Sequence, residues 1–63
     1  MKKKELRNIA KRIAACEKII KENSDESIQE AAKREIEKII YTTSFDSIEE
    51  LDLVDEMVQD YLS

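Results

Sequence analysis

Few residues of this chain could carry chemistry: there is one cysteine, no histidine and a set of scattered carboxylates. The thiol of Cys16 could act as a nucleophile only if it were exposed and nearby lysines or arginines lowered its pKa. Glu17 and Glu35 could act as an acid–base pair only if the fold placed both in one cleft. No set of zinc or haem ligands exists without histidine and with a single cysteine. The sequence therefore predicts no enzymatic activity and no cofactor.

Glycine is also absent, which excludes several binding motifs. Phosphate-binding loops, calcium-binding loops and the small-residue motif of membrane helices each need a backbone that only glycine adopts easily. The apolar runs of about four residues are far too short to cross a membrane. The lysine-rich start is followed by a charged amphipathic stretch, not by the apolar core of a signal peptide. Together with the single reduced thiol, this pattern predicts a cytoplasmic protein without a membrane partner.

Apolar residues at helical spacing predict an all-α fold of three helices. The first helix is expected over about 3–22, the second over 27–41 and the third over 48–62. Each has an inner row of apolar residues separated by three or four positions. These rows are Leu6, Ile9, Ile13, Cys16 and Ile20 in the first helix; Ile28, Ala32, Ile36 and Ile39 in the second; and Leu51, Val54, Val58 and Tyr61 in the third.

Two capping boxes, Ser27 to Glu30 and Ser47 to Glu50, predict where the second and third helices begin. Phe45, just before the second box, is expected to fold onto the start of the third helix. Because the chain has no glycine or proline, the pattern also allows one continuous helix from Lys3 to Tyr41 in place of the first two. A helical hairpin plus a third helix is the favoured arrangement, forming one domain over 1–63.

The third helix carries apolar residues over about 220° of its circumference, whereas one neighbour usually buries about 100°. It is therefore expected to contact two neighbours, which could be the first and second helices or a second copy of the chain. A chain of 63 residues also has a small core that often needs a disulfide, a metal or a partner subunit. The sequence therefore predicts a dimeric three-helix bundle.

Charge changes sign along the chain. Residues 1–21 carry eight basic and two acidic side chains, whereas residues 44–63 carry seven acidic and no basic ones. The simplest interpretation is that the first and third helices are parallel neighbours with complementary flanks. Either charged face could instead contact an outside partner.

The predicted function is a small protein–protein interaction or regulatory module that presents an acidic, apolar helix to a partner protein or to a second copy. The predicted contact residues are adaptable or aromatic anchors: Tyr41, Leu53, Met57, Tyr61 and Leu62. The alternative is a nucleic-acid-associated regulator that uses the basic first helix. Its predicted contacts are Lys3, Lys4, Arg7, Lys11 and Arg12. The net charge of −4 and the lack of interleaved aromatic residues argue against this alternative.

Overall fold

The computed structural model describes residues 2–63 and contains three α-helices, which confirms the predicted all-α fold. Helix α1 spans Lys3–Glu22, α2 spans Glu26–Thr42 and α3 spans Ile48–Leu62. The first two helices are separate, so the alternative of one continuous helix is wrong. Helix α2 begins one residue earlier and ends one residue later than the sequence pattern indicated.

The turn between α1 and α2 forms without glycine because side chains bind the open end of α1. Asn23 has an extended backbone, and both its main-chain N–H and its side-chain Nδ2 donate to the carbonyl of Ile19, at 3.0 and 3.1 Å. From α2, the Nε2 of Gln29 donates to the carbonyls of Ile20 and Asn23. These bonds satisfy carbonyls that the end of a helix leaves without a partner.

The start of α2 differs from the predicted capping box. Asp25, not Ser27, is the N-cap, and its Oδ1 accepts from the main-chain N–H of Ser27 at 2.9 Å. Ser27 lies inside the first turn because Asp25 already occupies the favoured extended position before it. The second capping box is confirmed on its serine side, since Glu50 N–H donates to Ser47 Oγ at 3.4 Å. In a capping box the glutamate accepts from the main-chain N–H of the N-cap residue, here Ser47. Glu50 Oε1 instead accepts from the N–H of Asp46, one residue earlier, at 2.7 Å.

Replacing Asp25 by Ala is expected to destabilise the fold by about 1 kcal/mol, since the first turn of α2 loses its capping acceptor. Thermal unfolding followed by circular dichroism measures the change. Ser27→Ala is the matched control and should change stability by less than about 0.5 kcal/mol. A larger loss for Ser27→Ala than for Asp25→Ala would show that Ser27 caps α2 after all.

Helix α1 is the central helix and packs against both α2 and α3. Within residues 2–63, no Cα atom of α2 comes within 8 Å of a Cα atom of α3. The backbones of α2 and α3 are therefore not adjacent, although Ile36 of α2 and Leu62 of α3 line one cleft beside α1. The small core joins α1 to each neighbour through seven buried residues. These are Leu6, Ala10, Ile13, Ala14, Ile39, Val54 and Val58.

The helix directions alternate along the chain. Arg12 Nη2 of α1 lies 3.6 Å from Glu35 Oε1 of α2, as expected for an antiparallel hairpin around the turn. Arg7, near the start of α1, lines a hollow with residues between Leu53 and Tyr61 of α3, and Lys18, near the end of α1, lines another with the last residues of α3. Helices α1 and α3 are therefore parallel neighbours, so the basic and the acidic helix lie side by side. Phe45, in the linker, is half-buried and packs against the core, and its contact with the start of α3 stays a prediction.

Candidate functional site

An apolar row runs along one edge of α3 where this helix meets α1. Leu53, Met57 and Tyr61 follow one another at intervals of four residues, which places them on one side of the helix. Leu53 and Met57 are half-buried against the core, while Tyr61 remains 44% exposed. All three line one hollow of about 420 Å³. Three of the five predicted partner-contact residues therefore lie together.

Basic side chains of α1 border one edge of this apolar row. Arg7 lines the same hollow as Leu53, Met57 and Tyr61. Lys18 lines the adjoining hollow, of about 440 Å³, together with Tyr61 and Leu62 of α3, and the carboxylate of Glu22 lies at its end. Lys11 follows Arg7 by one helical turn and precedes Lys18 by two, so it lies on the same side of α1. We call Arg7, Lys11 and Lys18 the basic row.

Acidic side chains of α3 border the opposite edge. Glu56 and Asp60 line the hollow with Leu53 and Met57, and the helical periodicity places them further from α1 than the apolar row. Glu49 precedes Glu56 by seven residues and lies on the same side. We call Glu49, Glu56 and Asp60 the acidic row. The α1/α3 face, defined as the apolar row with its two charged rows, is thus apolar in the middle and oppositely charged at its margins.

The remaining two predicted contact residues, Leu62 and Tyr41, do not line the hollow of Leu53, Met57 and Tyr61. Leu62 follows Tyr61 by about 100° around α3 and lines a cleft of about 550 Å³ between α2 and α3. Ile20, Ile36 and Leu62 provide its apolar surface, and Glu17, Lys21 and Lys33 provide its charged groups. Tyr41 is 86% exposed near the end of α2 and does not line the hollow on α3. The sequence alone does not separate Leu62 from Leu53, Met57 and Tyr61, because it does not show which side of α3 faces α1.

Four of the predicted nucleic-acid contacts, Lys3, Lys4, Arg7 and Lys11, lie within about 100° of one another on α1, whereas Arg12 lies apart. Arg12 lies about 140° around α1 from Arg7 and pairs with Glu35 on the α2 side. Arg7 shares its hollow with Glu56 and Asp60, whose negative charge opposes the approach of a phosphate. Lys3, Lys4 and Lys11 are exposed along α1. A nucleic acid that approached α1 would therefore also meet the carboxylates of α3, which repel its phosphates.

Cys16 lies half-buried in α1 close to the ion pair of Arg12 and Glu35. Burial and the negative charge of Glu35 raise the pKa of this thiol, and Arg12 offsets part of the effect. Cys16, which the sequence places in the inner row of the first helix, is thus half-buried and not buried. The raised pKa leaves the thiol protonated at neutral pH, which does not suit a nucleophile.

Alkylation of Cys16 by iodoacetamide is expected to be slower at pH 8 than alkylation of an unfolded chain, because only the thiolate reacts. Glu35→Gln removes a negative charge that raises the pKa, so it should speed the reaction. Arg12→Gln removes the charge that lowers the pKa, so it should slow the reaction. Mass spectrometry of timed samples measures the rates, and the opposite order of the two variants would contradict this electrostatic account.

Residues 2–63 contain no group of three or more cysteine or carboxylate side chains placed to hold a metal ion. None of the three helices combines the length and the apolar character required for a membrane span. Glu17 lies in the cleft beside Leu62, whereas Glu35 pairs with Arg12, so these two carboxylates do not share a cleft.

Comparisons with protein-family models, with curated proteins and with solved structures find no match to this chain. The function must therefore be argued from the geometry and the charges of the α1/α3 face.

Proposed function

We propose that this protein is a non-enzymatic interaction module that presents the acidic, apolar side of α3 to another polypeptide. The observation that carries the proposal is the row of Leu53, Met57 and Tyr61 on an outer edge of the bundle. Methionine adapts its shape to a partner, and tyrosine provides a large contact area together with a hydroxyl group. Such residues are enriched where protein surfaces bind one another.

The size of the exposed surface supports this proposal. A compact monomer of 7.4 kDa is expected to expose about 4200 Å², but this chain exposes 4844 Å². The difference fits a bundle in which no Cα atoms of α2 and α3, within residues 2–63, lie within 8 Å of one another. Covering part of the exposed surface would stabilise a chain whose own core is small. We therefore also propose that the chain self-associates, and that it acts in the cytoplasm, where its thiol stays reduced.

The proposed function can be tested by comparing what the purified, immobilised chain retains from a cell extract with what two variants retain. Met57→Glu places a charge in the centre of the apolar row and should lose the retained proteins. Gln59→Glu introduces the same side chain at an exposed position outside the row and should keep them. Tyr61→Ala, at a more exposed position, provides a second loss-of-contact variant if Met57→Glu unfolds.

Two outcomes would contradict the proposal. Proteins retained equally by the parent chain, Met57→Glu and Tyr61→Ala would show that the apolar row is not the contact surface. Binding of a labelled DNA duplex that weakens steeply with salt and is lost in Lys11→Gln would instead support the nucleic-acid-associated alternative.

A further inference from the structure

The α1/α3 face has an order of charges that makes it complementary to itself. Across its width, a basic row on α1 is followed by the apolar row and then by an acidic row on α3. We propose that the occupant of this face is a second copy of the chain, in a dimer whose two-fold axis runs parallel to the helices along the apolar row. This inference rests on the proposed function, since it names the polypeptide that the same face binds.

The direction of the two-fold axis follows from the charges. Rotation about an axis parallel to the helices exchanges the two margins, so each basic row faces the acidic row of the other copy. Rotation about an axis across the helices, still within the face, would place basic on basic and acidic on acidic. Juxtaposed like charges disfavour an interface strongly. The charges therefore select the arrangement in which α1 and α3 of both copies all run in the same direction.

The two charged rows also have the same length, and they overlap in position along the helix axes. Arg7 to Lys18 and Glu49 to Asp60 each span 11 residues, or about 16 Å of helix. Lys18 lines a hollow with Tyr61, so the upper ends of the two rows lie at similar heights. Rotation about an axis parallel to the helices preserves height. The basic row of each copy therefore faces the acidic row of the other copy.

The available area suits a dimer of this size. Stable interfaces bury roughly 800 Å² on each partner, which is about one-sixth of the 4844 Å² that the chain exposes. The contact would add the apolar row of each copy to a continuous interior between the two α1 helices and the two α3 helices. Tyr61, Met57 and Leu53 lie along the axis, so each would meet its own counterpart.

Charge reversal in pairs gives the sharpest test. Glu56→Lys with Asp60→Lys makes both margins of one chain basic, and Arg7→Glu with Lys11→Glu makes both margins of another chain acidic. Each variant alone should sediment as a monomer, with a dimer Kd raised by about tenfold or more. An equimolar mixture should sediment as a dimer, because every basic row then faces an acidic row. Circular dichroism checks that each variant is folded.

Disulfide trapping in a Cys16→Ser background tests the direction of the axis. With a mild chemical oxidant present, Leu53→Cys alone and Tyr61→Cys alone should each form a crosslinked dimer. Gln59→Cys, outside the face, is the control and should not. An axis across the helices would instead crosslink only the mixture of Leu53→Cys and Tyr61→Cys chains, and that result would overturn the proposed arrangement.

The failure of this inference can be told apart from failure of the proposed function. A parent chain that remains monomeric at millimolar concentration would overturn the second copy as the occupant. Proteins lost from the Met57→Glu column would then still support a docking face with a different occupant. A dimer that survives both charge-reversed pairs and Met57→Glu would place self-association on another surface and would likewise overturn the inference.

Discussion

Replacing Val54 by Asp is expected to abolish cooperative folding at room temperature. Val54 is fully buried in the core, on the side of α3 that packs against α1. A carboxylate introduced there would have to remain charged without a partner or take up a proton, and an uncompensated buried charge costs about 3–5 kcal/mol. A core of this size supplies no more than about 3–5 kcal/mol of net stability. The far-ultraviolet circular dichroism spectrum should therefore lose the double minimum of a helical protein.

The matched control for this prediction introduces the same residue on the same helix. Gln59 is exposed on α3, and Gln59→Asp should change the free energy of unfolding by less than about 0.5 kcal/mol. A Val54→Asp variant that melts at the temperature of Gln59→Asp would show that α3 does not depend on its contact with α1.

Ile39→Ala is expected to have the second-largest effect, about 2–5 kcal/mol in the free energy of unfolding. Ile39 is 2% exposed and is the buried residue of α2 in the core cluster. Ala32, the other buried residue of α2, contributes much less apolar area. The surrounding structure relaxes only partly around such a truncation, so the cavity that remains adds to the loss of buried area. The midpoint of thermal unfolding should fall by about 10 °C or more.

Ile40→Ala provides a control with identical chemistry at the next position. Ile40 is 38% exposed, so its truncation removes less buried area and leaves no enclosed cavity. The loss should be about 1 kcal/mol or smaller. Equal losses at the two positions would mean that α2 does not pack on α1 through the side that carries Ile39.

The apolar spacing predicted the three helices, but it did not predict which residues of each helix are the most buried. The row predicted for α1 included Ile9, Cys16 and Ile20, which are half-buried, whereas Ala10 and Ala14 beside this row are buried. The difference arises because α1 packs against two helices, which moves its most buried line toward the small residues between them. A periodic pattern identifies which residues are apolar but not how many neighbours they have.

The ends of the predicted rows are also more exposed than expected. Ile28 on α2 and Tyr61 on α3 were both placed on inner faces, yet they are 43% and 44% exposed. Tyr61 is exposed even though Lys18 of α1 lines a hollow beside it.

The candidate site was predictable in part. The width of the apolar arc on α3 indicated that one neighbour would not cover it, and the change of sign along the chain indicated that α1 and α3 would be adjacent. Both charged rows could be recognised as charged helix faces from the sequence. What required the structure was their position on opposite sides of Leu53, Met57 and Tyr61, since that depends on how α3 is rotated against α1.

The central place of α1 has a consequence for how the native state opens. Since α2 and α3 each pack against α1 and their backbones do not approach one another, either outer helix can detach while the other stays docked. Amide hydrogens of α2 and α3 would then exchange with solvent through partial openings, whereas those of α1 would need both helices to leave. The slowest-exchanging amides should therefore cluster around Ala10 and Ile13, the most enclosed part of the molecule.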